Sequence, residues 1–385
     1  MSIRELYPIK PFEEKLESLL LTIKKEKPLI LIQGGYGKNN LGDDALLLTI
    51  QQKILTIRSD ADIVAVCHYP SNVKSKYGIN AVYFTERTAI KYFFTCDALI
   101  IGGGDIVNKI NTFSGYRFFK IFDPKGKYLF FTSLLTRLRR KIVVFYVVGM
   151  TSIPDKAVEL LMRITLPKAD LLGIRDMVTY ETIVPMVKGK SDIIVCHDPA
   201  LDFHMQMELD MDSWLKDKNV QPETKMIIVS VRHVLNDRIN ANLINSIKLY
   251  IEYIDKYFQD YQVLLLPVSQ HPDKKLENDL IISSQVFSKL SLGCRAILIS
   301  EYLHPQFVKE LFGRADLILM ARLHGLILSY DFHRPTIVLS YDNKVTQFAK
   351  MAGYKSVLPY ESISFERIKE LSDAELSAKN KIERR

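Results

Sequence analysis

The chain has 385 residues, of which 48% are hydrophobic and 25% charged, with a formal net charge of +8. This length allows two domains with separate cores, and the composition is that of a globular protein and not of a disordered or fibrous chain. The basic balance favours anionic partners, but the sequence has no recognisable nucleic-acid-binding motif and no long Lys/Arg run, so nucleic acid is not expected as a partner.

The cysteines and the hydropathy pattern indicate a cytoplasmic protein. The N-terminal residues contain no apolar h-region of a signal peptide, and no apolar run approaches the roughly 18 residues that span a membrane. Neither a disulfide framework nor a metal site is expected, because the four cysteines lie far apart without a CxxC pair: Cys67, Cys96, Cys196 and Cys294. The sequence leaves the oligomeric state open.

The first half of the chain alternates between predicted strands and helices. A helix over Pro11–Lys27 precedes a continuous apolar strand, Pro28–Gln33, which is typical of a buried parallel sheet. A glycine-rich turn and a helix follow, as at the start of a Rossmann-like unit. Further strands are predicted at Asp62–Val66, Ala98–Ile101, Lys141–Val148, Asp170–Ile174 and Ile193–Cys196.

The alternation restarts after a polar stretch, Asp202–Thr224, which contains the only tryptophan. We therefore predict an N-terminal Rossmann-like domain at 1–202, a linker at 203–224, a second Rossmann-like domain at 225–360 and a tail at 361–385 that either crosses back or frays. The fold class is α/β, with two such domains facing across a cleft. Strands of the second domain are predicted at Met226–Val231, Gln262–Pro267, Ala296–Ile299, Asp316–Met320 and Thr336–Ser340.

The glycine turn after the first strand matches neither common nucleotide code. Lys38 is followed by Asn39 and not by Ser or Thr, which excludes a Walker A loop, and the glycine spacing differs from GxGxxG. Asn40 and Asp43 have two interpretations: they cap the helix and suit its dipole, or they hold sugar hydroxyls, with Asp43 taking a proton from one. Gly42 lies between them.

Other polar residues follow later strands of the first domain. Gly102, Gly103 and Gly104 come directly after a buried strand and precede Asp105, and glycine there permits a plain turn or a close approach of a ligand to the backbone. Arg175-Asp176 and Asp198-Pro199 also follow strands, where a salt bridge and a turn are the simple alternatives to a role in binding.

Cationic and titratable residues collect at the strand ends of the second domain. Arg322, Leu323 and His324 lie where the strand Asp316–Met320 passes into a helix predicted at His324–Phe332, and helix N-termini attract anions. Because the carboxyl ends of parallel strands share one edge of a sheet, we predict a cationic rim there. Its members are Arg232, His233, His271, Arg322, His324 and Lys344.

In order and spacing, these short pieces resemble the polysaccharide pyruvyl transferase family from about Leu29 to about Gly353. The matching pieces are Asn40–Ala45, Gly102–Gly104, Arg175-Asp176, Asp198–Ala200, Ser230–Arg232, Ala315-Asp316, Arg322–Gly325, Pro335 and Tyr341–Lys344. The family usually has Glu where this chain has Asp44. The resemblance implies a fold similar to the GT-B glycosyltransferases and transfer of pyruvate from phosphoenolpyruvate to a sugar as a ketal.

The resemblance also implies roles for the residues. Phosphoenolpyruvate would be a co-substrate, with no separate cofactor and no metal, and a glycan or lipid-linked sugar would be the acceptor. His324, Arg322 and Asp43 would be catalytic, with Asp198 the second choice for the base. The donor would bind Arg232, Arg322, Leu323, His324 and Lys344, and the acceptor would bind Asn40, Gly42, Asp43, Gly103, Gly104, Asp105 and Asp198.

Two alternatives and one membrane hypothesis remain at this point. The protein could be a GT-B glycosyltransferase that uses a sugar nucleotide, or a non-catalytic member that binds a sugar. Phe113–Lys141 mixes eight Phe/Tyr with eight Lys/Arg, which fits a helix and loop packed on the first domain or a peripheral segment at the inner face of the membrane.

Overall fold

The structure, a computed structural model, describes residues 2–107, 124–150, 156–187, 193–221 and 223–383. The chain forms two compact units: the first comprises Met1–Lys38 and Asp43–Phe203, and the second comprises Asn39–Gly42 and His204–Arg385. Each unit contains one parallel sheet flanked by helices. The predicted class of two parallel-sheet α/β domains is confirmed.

The first sheet has the strand order β3-β2-β1-β4-β6-β7-β8, with β5 paired to β6, and every pair is parallel. Its inner strands are almost fully buried, as expected for a sheet covered by helices on both faces. The strands are β1 Leu29–Gln33, β2 Asp62–Cys67, β3 Asn80–Tyr83, β4 Ala98–Gly102, β5 Asp105–Val107, β6 Ile142–Met150, β7 Leu171–Ile174 and β8 Ile193–Val195.

The helices of this half of the chain are α1 Ile3–Leu6, α2 Lys10–Leu21, α3 Leu41–Ile57, α4 Pro70–Tyr77, α5 Arg87–Thr95, α6 Pro124–Leu138, α7 Lys156–Thr165 and α8 Met177–Ile183. One core cluster joins α5, α6, α7 and α8 to alternate residues of the strands, such as Leu99 and Phe145. These four helices therefore form one layer on one face of the sheet.

The second sheet has the order β11-β10-β9-β12-β13-β14, again parallel throughout. In sequence order this is 3-2-1-4-5-6, the doubly wound order of dinucleotide-binding folds. The strands are β9 Lys225–Ser230, β10 Tyr261–Leu265, β11 Ile297–Leu298, β12 Leu317–Met320, β13 Thr336–Ser340 and β14 Ser356–Pro359.

The helices of the second half are α9 Met211–Asp217, α10 Asp237–Tyr257, α11 Asp279–Phe287, α12 Pro305–Arg314, α13 Leu323–Ser329, α14 Asn343–Met351 and α15 Phe365–Glu383. The tail contains α15, which packs against α10 and the second sheet. Trp214, in the predicted linker, packs its ring edge-on against Phe307 of α12, with the ring centroids 5.0 Å apart. Among the described residues, no helix is long and apolar enough to cross a bilayer.

In both sheets the strand order changes direction between the strand that comes first in the sequence and the strand that comes fourth. In the first sheet β1 lies beside β4, and in the second β9 lies beside β12, with Ser230 in register with Met320. Ligands of doubly wound sheets bind outside the carboxyl ends of the strands at this reversal. The loops after β1, β4, β9 and β12 are therefore where sites are expected.

Candidate functional site

Arg232 and Arg322 lie side by side at the reversal point of the second sheet. Ser230 ends β9 and Met320 ends β12, and these two residues are in register. Arg232 comes two residues after Ser230, and Arg322 comes two residues after Met320. Arg322 is the residue before α13, a helix of seven residues that is shorter than the predicted His324–Phe332 and continues as a 3₁₀ turn over Tyr330–Phe332. The two guanidinium groups therefore belong to one edge of one sheet.

A buried carboxylate holds Arg322 in place. The guanidinium donates from Nη2 to Oδ1 of Asp279 at 2.6 Å and from Nε to Oδ2 at 2.9 Å. The Asp279 side chain is fully buried, and that of Arg322 is 12% exposed. Two parallel hydrogen bonds fix both the position and the plane of the guanidinium, which a single contact would not do.

Electrostatics keep this arginine charged. Burial alone would lower the pKa of the Arg322 guanidinium, but the charge of Asp279 and its hydrogen bonds raise that pKa above the ordinary value. Since arginine is protonated even in water at every physiological pH, the pair retains a permanent cation at this edge.

Two tyrosines hold Arg232. Its Nη1 donates to the hydroxyl of Tyr341, and its guanidinium carbon lies 4.3 Å from the centroid of that ring. The Tyr360 hydroxyl accepts from the Arg232 amide at 3.0 Å and lies 3.2 Å from the Arg232 carbonyl. The strand end and the side chain are thus both fixed by aromatic residues from the loops after β13 and β14.

The charges of the two arginines both affect the pKa values of the same two buried groups, Asp279 and Tyr341. Burial raises the pKa of the Asp279 carboxyl, and the charges of Arg322 and Arg232 oppose that rise. Burial likewise raises the pKa of Tyr341, again opposed by both arginines. With one carboxylate and two guanidinium groups, the cluster is net positive and suits an anionic ligand.

Each arginine keeps unused donors. No other described residue accepts a hydrogen bond from Nη1 of Arg322, and none accepts from Nε or Nη2 of Arg232. A guanidinium with a free edge can bind a carboxylate or phosphate through two N–H groups.

His324 packs against Gly42. A methyl group at Gly42 would lie 2.0 Å from Cγ and 2.1 Å from Nδ1 of His324, so the imidazole occupies the space where any other residue would place its side chain. His324 is half-buried in the first turn of α13. Gly42 therefore sets where the imidazole lies, which the sequence did not indicate.

Backbone pairing holds the segment Asn39–Gly42 in the second unit. Asn40 forms an antiparallel bridge with Ser269, the Leu41 amide donates to the Val268 carbonyl at 3.0 Å, and the Gln270 amide donates to the Asn39 carbonyl at 2.7 Å. The Asn40 side chain accepts from the Gly42 amide at 3.1 Å, which is the capping interaction that the sequence offered as one interpretation.

His233 and His271, two further members of the predicted rim, are held by local hydrogen bonds. His271 is buried, and its Nδ1 accepts from the amides of Asp273 and Lys274 at 3.1 and 3.2 Å. His233 lies 3.4 Å from the Asn240 amide nitrogen, while the same Asn240 side chain pairs with the backbone of Val234. We assign neither histidine to an anion. Lys344 is half-buried in the first turn of α14 and Leu323 begins α13.

In the first unit, Asp43 lies between two glycine turns. Its carboxylate oxygens would be 3.6 Å from a methyl group at Gly35 and 3.1 Å from one at Gly104. Gly104 has φ +69, a conformation that favours glycine, and Gly103 has φ +82. Asp43 is half-buried, the Lys38 amine also lies next to Gly35, and Gly104 is buried.

Asp44 is part of the fold of this loop. It is fully buried, and it accepts from the Gly37 amide at 3.1 Å and from the Tyr77 hydroxyl at 2.9 Å. Asp44 therefore closes the glycine-rich turn onto α4 and has no exposed surface for a ligand.

We expect Asp44→Ala to lower the free energy of unfolding by about 2–4 kcal/mol, because it removes the acceptor of the buried Gly37 amide and of the half-buried Tyr77 hydroxyl. Urea denaturation measures the change. Tyr77→Phe removes only one of the two hydrogen bonds and should cost about 1 kcal/mol. Equal losses for the two variants would contradict this account of Asp44.

Asp198 is paired within the first unit. Its Oδ1 accepts from the Ala200 amide at 3.0 Å, and its Oδ2 lies 3.3 Å from Nη1 of Arg175, with both side chains less than a tenth exposed. The salt bridge and turn that the sequence offered as the simple alternative are present. Asp105 begins β5, and its side chain lies outside the described residues.

The predicted membrane segment falls partly on residues 113–123, which lie outside the described ones. Its remainder contains α6, whose Phe130 and Ser133 are buried, and whose Phe131 is 55% exposed.

Sequence reasoning missed Asp279 and Tyr360. Asp279 stands 43 residues before Arg322, in the first turn of α11, and no motif spacing marks it. The one available signal was physical: an arginine at the end of a buried strand needs a buried acceptor.

Comparison with known proteins identifies the family. A model of the family described as polysaccharide pyruvyl transferase matches residues 40–343. The chain belongs to this family. The enzyme is thus a transferase of polysaccharide biosynthesis, and the resemblance drawn from the short motifs is confirmed. Among curated proteins, none matches this sequence.

Solved structures extend the comparison to the fold. The chain is similar to MnaA of S. aureus, solved with UDP, with a TM-score of 0.56, 14% identity and coverage of 90% of this chain and 88% of that one. It is also similar to UDP-GlcNAc 2-epimerase of Methanocaldococcus jannaschii, with a TM-score of 0.56, 13% identity and coverage of 91% and 92%. At these identities the likeness concerns the fold alone, and it confirms the GT-B-like class.

Proposed function

We propose that this transferase moves pyruvate from phosphoenolpyruvate onto two hydroxyls of a sugar as a cyclic ketal and releases phosphate. The acceptor would be a surface or exopolysaccharide, or its lipid-linked precursor. The observation that carries the proposal is the pair of guanidinium groups at the reversal point of the second sheet, both acting on buried Asp279 and both with unused donors.

The donor's charges match this pair. Phosphoenolpyruvate carries a carboxylate and a phosphate on the same carbon, so its anionic groups lie within a few ångströms of each other. Two adjacent guanidinium groups can take one each, or share both, with bidentate geometry. Lysine would supply charge without a fixed plane. Lys344 and the Leu323 backbone are assigned to the same donor through the family motifs that contain them.

The chemistry then needs one acid and one base. In the proposed scheme His324 delivers a proton to the methylene carbon of the donor, which becomes a methyl group and leaves C2 electrophilic. A sugar hydroxyl adds to C2 and loses its proton to the base. The second hydroxyl displaces phosphate from C2, its proton leaves with the phosphate, and the ketal ring closes. Atoms and charges balance without a separate cofactor.

For the base we keep Asp43 ahead of Asp198. Asp198 already accepts from Arg175 and Ala200 in a buried pair, so both of its oxygens are engaged and its access is poor. Asp43 is half-buried, and so more exposed than Asp198, and it lies beside the turns at Gly35 and Gly104. Because phosphoenolpyruvate is made in the cytoplasm, the proposed reaction places the protein there.

The direct experiment incubates the purified protein with phosphoenolpyruvate and a panel of sugars and lipid-linked sugars. The expected products are inorganic phosphate and a sugar heavier by one pyruvate ketal. In a thermal-shift assay, phosphoenolpyruvate should stabilise the protein and UDP-sugars should not. Stabilisation by UDP-sugars alone, without phosphate release, would favour the glycosyltransferase alternative and contradict the proposal.

We expect His324→Asn to lower kcat by about 10²–10⁴-fold, the usual contribution of a positioned proton donor. His333→Asn is the matched control: His333 is exposed, and its φ of +49 is one that Asn tolerates well. The control should keep the wild-type rate. If both variants retained it, His324 would have no role as the acid.

A further inference from the structure

We propose that the outer face of α5, α6 and α7, named here the α5–α7 face, binds the surface of an anionic lipid bilayer. The face is defined by six exposed apolar side chains and seven exposed Lys/Arg. It lies in the first unit and contains none of the residues assigned above to donor, acceptor or chemistry, and the inference goes beyond the proposed function.

The three helices form one layer with two distinct sides. The helix α5 packs on α6, and α6 packs on α7, while all three send buried residues into the same core beneath. Helical periodicity then directs the residues on the opposite stripe of each helix away from the sheet. The inner stripes include Ala89, Phe93, Phe130, Ser133, Val158 and Met162, each no more than 2% exposed.

The outer stripes repeat one pattern on each helix. Large apolar side chains recur four or seven residues apart, which places each pair on a single face. Solvent-facing stripes of surface helices are normally polar, so apolar pairs on three adjacent helices form an unusual surface. The side chains are Ile90 (48% exposed), Phe94 (42%), Phe131 (55%), Leu138 (69%), Leu160 (59%) and Ile164 (37%).

Cations surround these apolar residues. The guanidinium of Arg139 lies over the ring of Phe94, 5.5 Å from its centroid, so the charge at the end of α6 lies next to the apolar pair of α5. In 86–95, 128–141 and 156–168 the only exposed carboxylate is Glu86, and half-buried Glu159 is bonded to Arg163 at 2.8 Å. The exposed cations of these segments are Arg87, Lys91, Arg139, Arg140, Lys156, Arg163 and Lys168.

A surface of apolar side chains surrounded by cations is complementary to a bilayer that contains acidic lipids. The cations are attracted to the negative headgroup layer, and the aromatic and aliphatic side chains enter the boundary between headgroups and acyl chains. Charge complementarity selects this partner over a neutral bilayer. A second copy of the same face would bring seven cations against seven and repel.

The test measures co-sedimentation of the full chain with phosphatidylcholine vesicles that contain or lack phosphatidylserine, at low and at high salt. Binding is expected only with phosphatidylserine, and it should weaken at high salt. The triple variant K91Q/R139Q/R140Q should lower the partition coefficient by about a hundredfold. The triple variant F94S/F131S/L160S should lower it by more than about tenfold.

Matched controls carry the same changes on exposed residues elsewhere: K24Q/K216Q/K355Q for charge and L249S/L276S/L292S for apolar area. Both controls should bind like the wild type, and circular dichroism should show all four variants folded. The proposal is overturned if the wild type stays in the supernatant, if the controls lose binding as much as the face variants, or if light scattering shows that the face variants convert a dimer to monomers.

Discussion

Replacing Arg322 by methionine is expected to lower the free energy of unfolding by about 3–5 kcal/mol, because it leaves the carboxylate of Asp279 buried without a partner. The same change should abolish phosphoenolpyruvate-dependent phosphate release, since the bidentate donor group is lost. Urea denaturation gives the first quantity and a phosphate assay the second. Few surface substitutions approach this loss of stability.

The loss should depend on pH in a defined direction. Burial raises the pKa of the Asp279 carboxyl. In the variant, the positive charge of Arg322 is no longer there to oppose that rise. The folded variant then holds a proton that the unfolded chain releases near about pH 4. The variant therefore keeps this contribution to its stability at pH values below the pKa that Asp279 has in the unfolded chain. It loses the contribution as the pH rises through the pKa that Asp279 has in the folded protein. The difference between wild type and variant should be larger at neutral pH than in mild acid.

A double variant separates stability from function. Arg322→Met with Asp279→Leu replaces the ion pair by apolar groups of similar volume, which should restore most of the stability but none of the phosphate release. Lys309→Met is the control, because Lys309 forms another ion pair of the second unit, 3.3 Å from Asp331, and should keep the thermal shift with phosphoenolpyruvate. Full activity in the double variant would remove Arg322 from donor binding.

Much of the fold follows from local patterns. Continuous apolar runs predicted β1, β4, β6, β9 and β12, and the strand at Thr336–Ser340 has the predicted bounds. Such strands are buried on both faces, so nearly every residue must be apolar and the signal is strong. The strands β3, β5 and β14 were missed because each begins with a polar residue and contains at most three apolar ones, whereas β7 and β12, which are just as short, are apolar throughout.

The candidate site was predictable only at its strand ends. Topology alone places Arg232 and Arg322 at one edge, because β9 and β12 are neighbours in a doubly wound sheet. What holds them comes from distant parts of the chain: Asp279 from α11, and Tyr341 and Tyr360 from the loops after β13 and β14. Such contacts leave no periodic trace in the sequence, since each depends on how loops of different length return to the same edge.

The segment Asn39–Gly42 shows the same limit. Its capping asparagine and glycine were visible in the sequence, but its pairing with Val268–Gln270 was not. That pairing carries Gly42 to His324, although 281 positions of sequence separate them (324 minus 42, less one). Gly42, which in the sequence is only a glycine at the start of a helix, therefore contacts His324, the proposed acid.

Replacing Gly42 by alanine is expected to destabilise the protein by about 1–3 kcal/mol, against the usual trend for this substitution in a helix. Alanine normally stabilises a helix relative to glycine by about 1 kcal/mol, and Gly42 lies in the first turn of α3 at a φ outside the left-handed region. Here the added methyl group would lie 2.0 Å from the imidazole of His324, so the ring must move. Under the proposed function kcat should fall as well, because the acid is displaced from the donor.

A double-mutant cycle tests whether the effect passes through this contact. His324→Gly removes the three His324 atoms that the methyl group would meet, at 2.0, 2.1 and 2.6 Å. In that background Gly42→Ala should become neutral or stabilising, which gives a coupling energy of about 1–4 kcal/mol from denaturation of the four proteins. The intrinsic cost of glycine at position 324 appears on both sides of the cycle and cancels. Additive losses would mean that Gly42 is needed for a reason other than the imidazole, and the positioning role argued for it would fail.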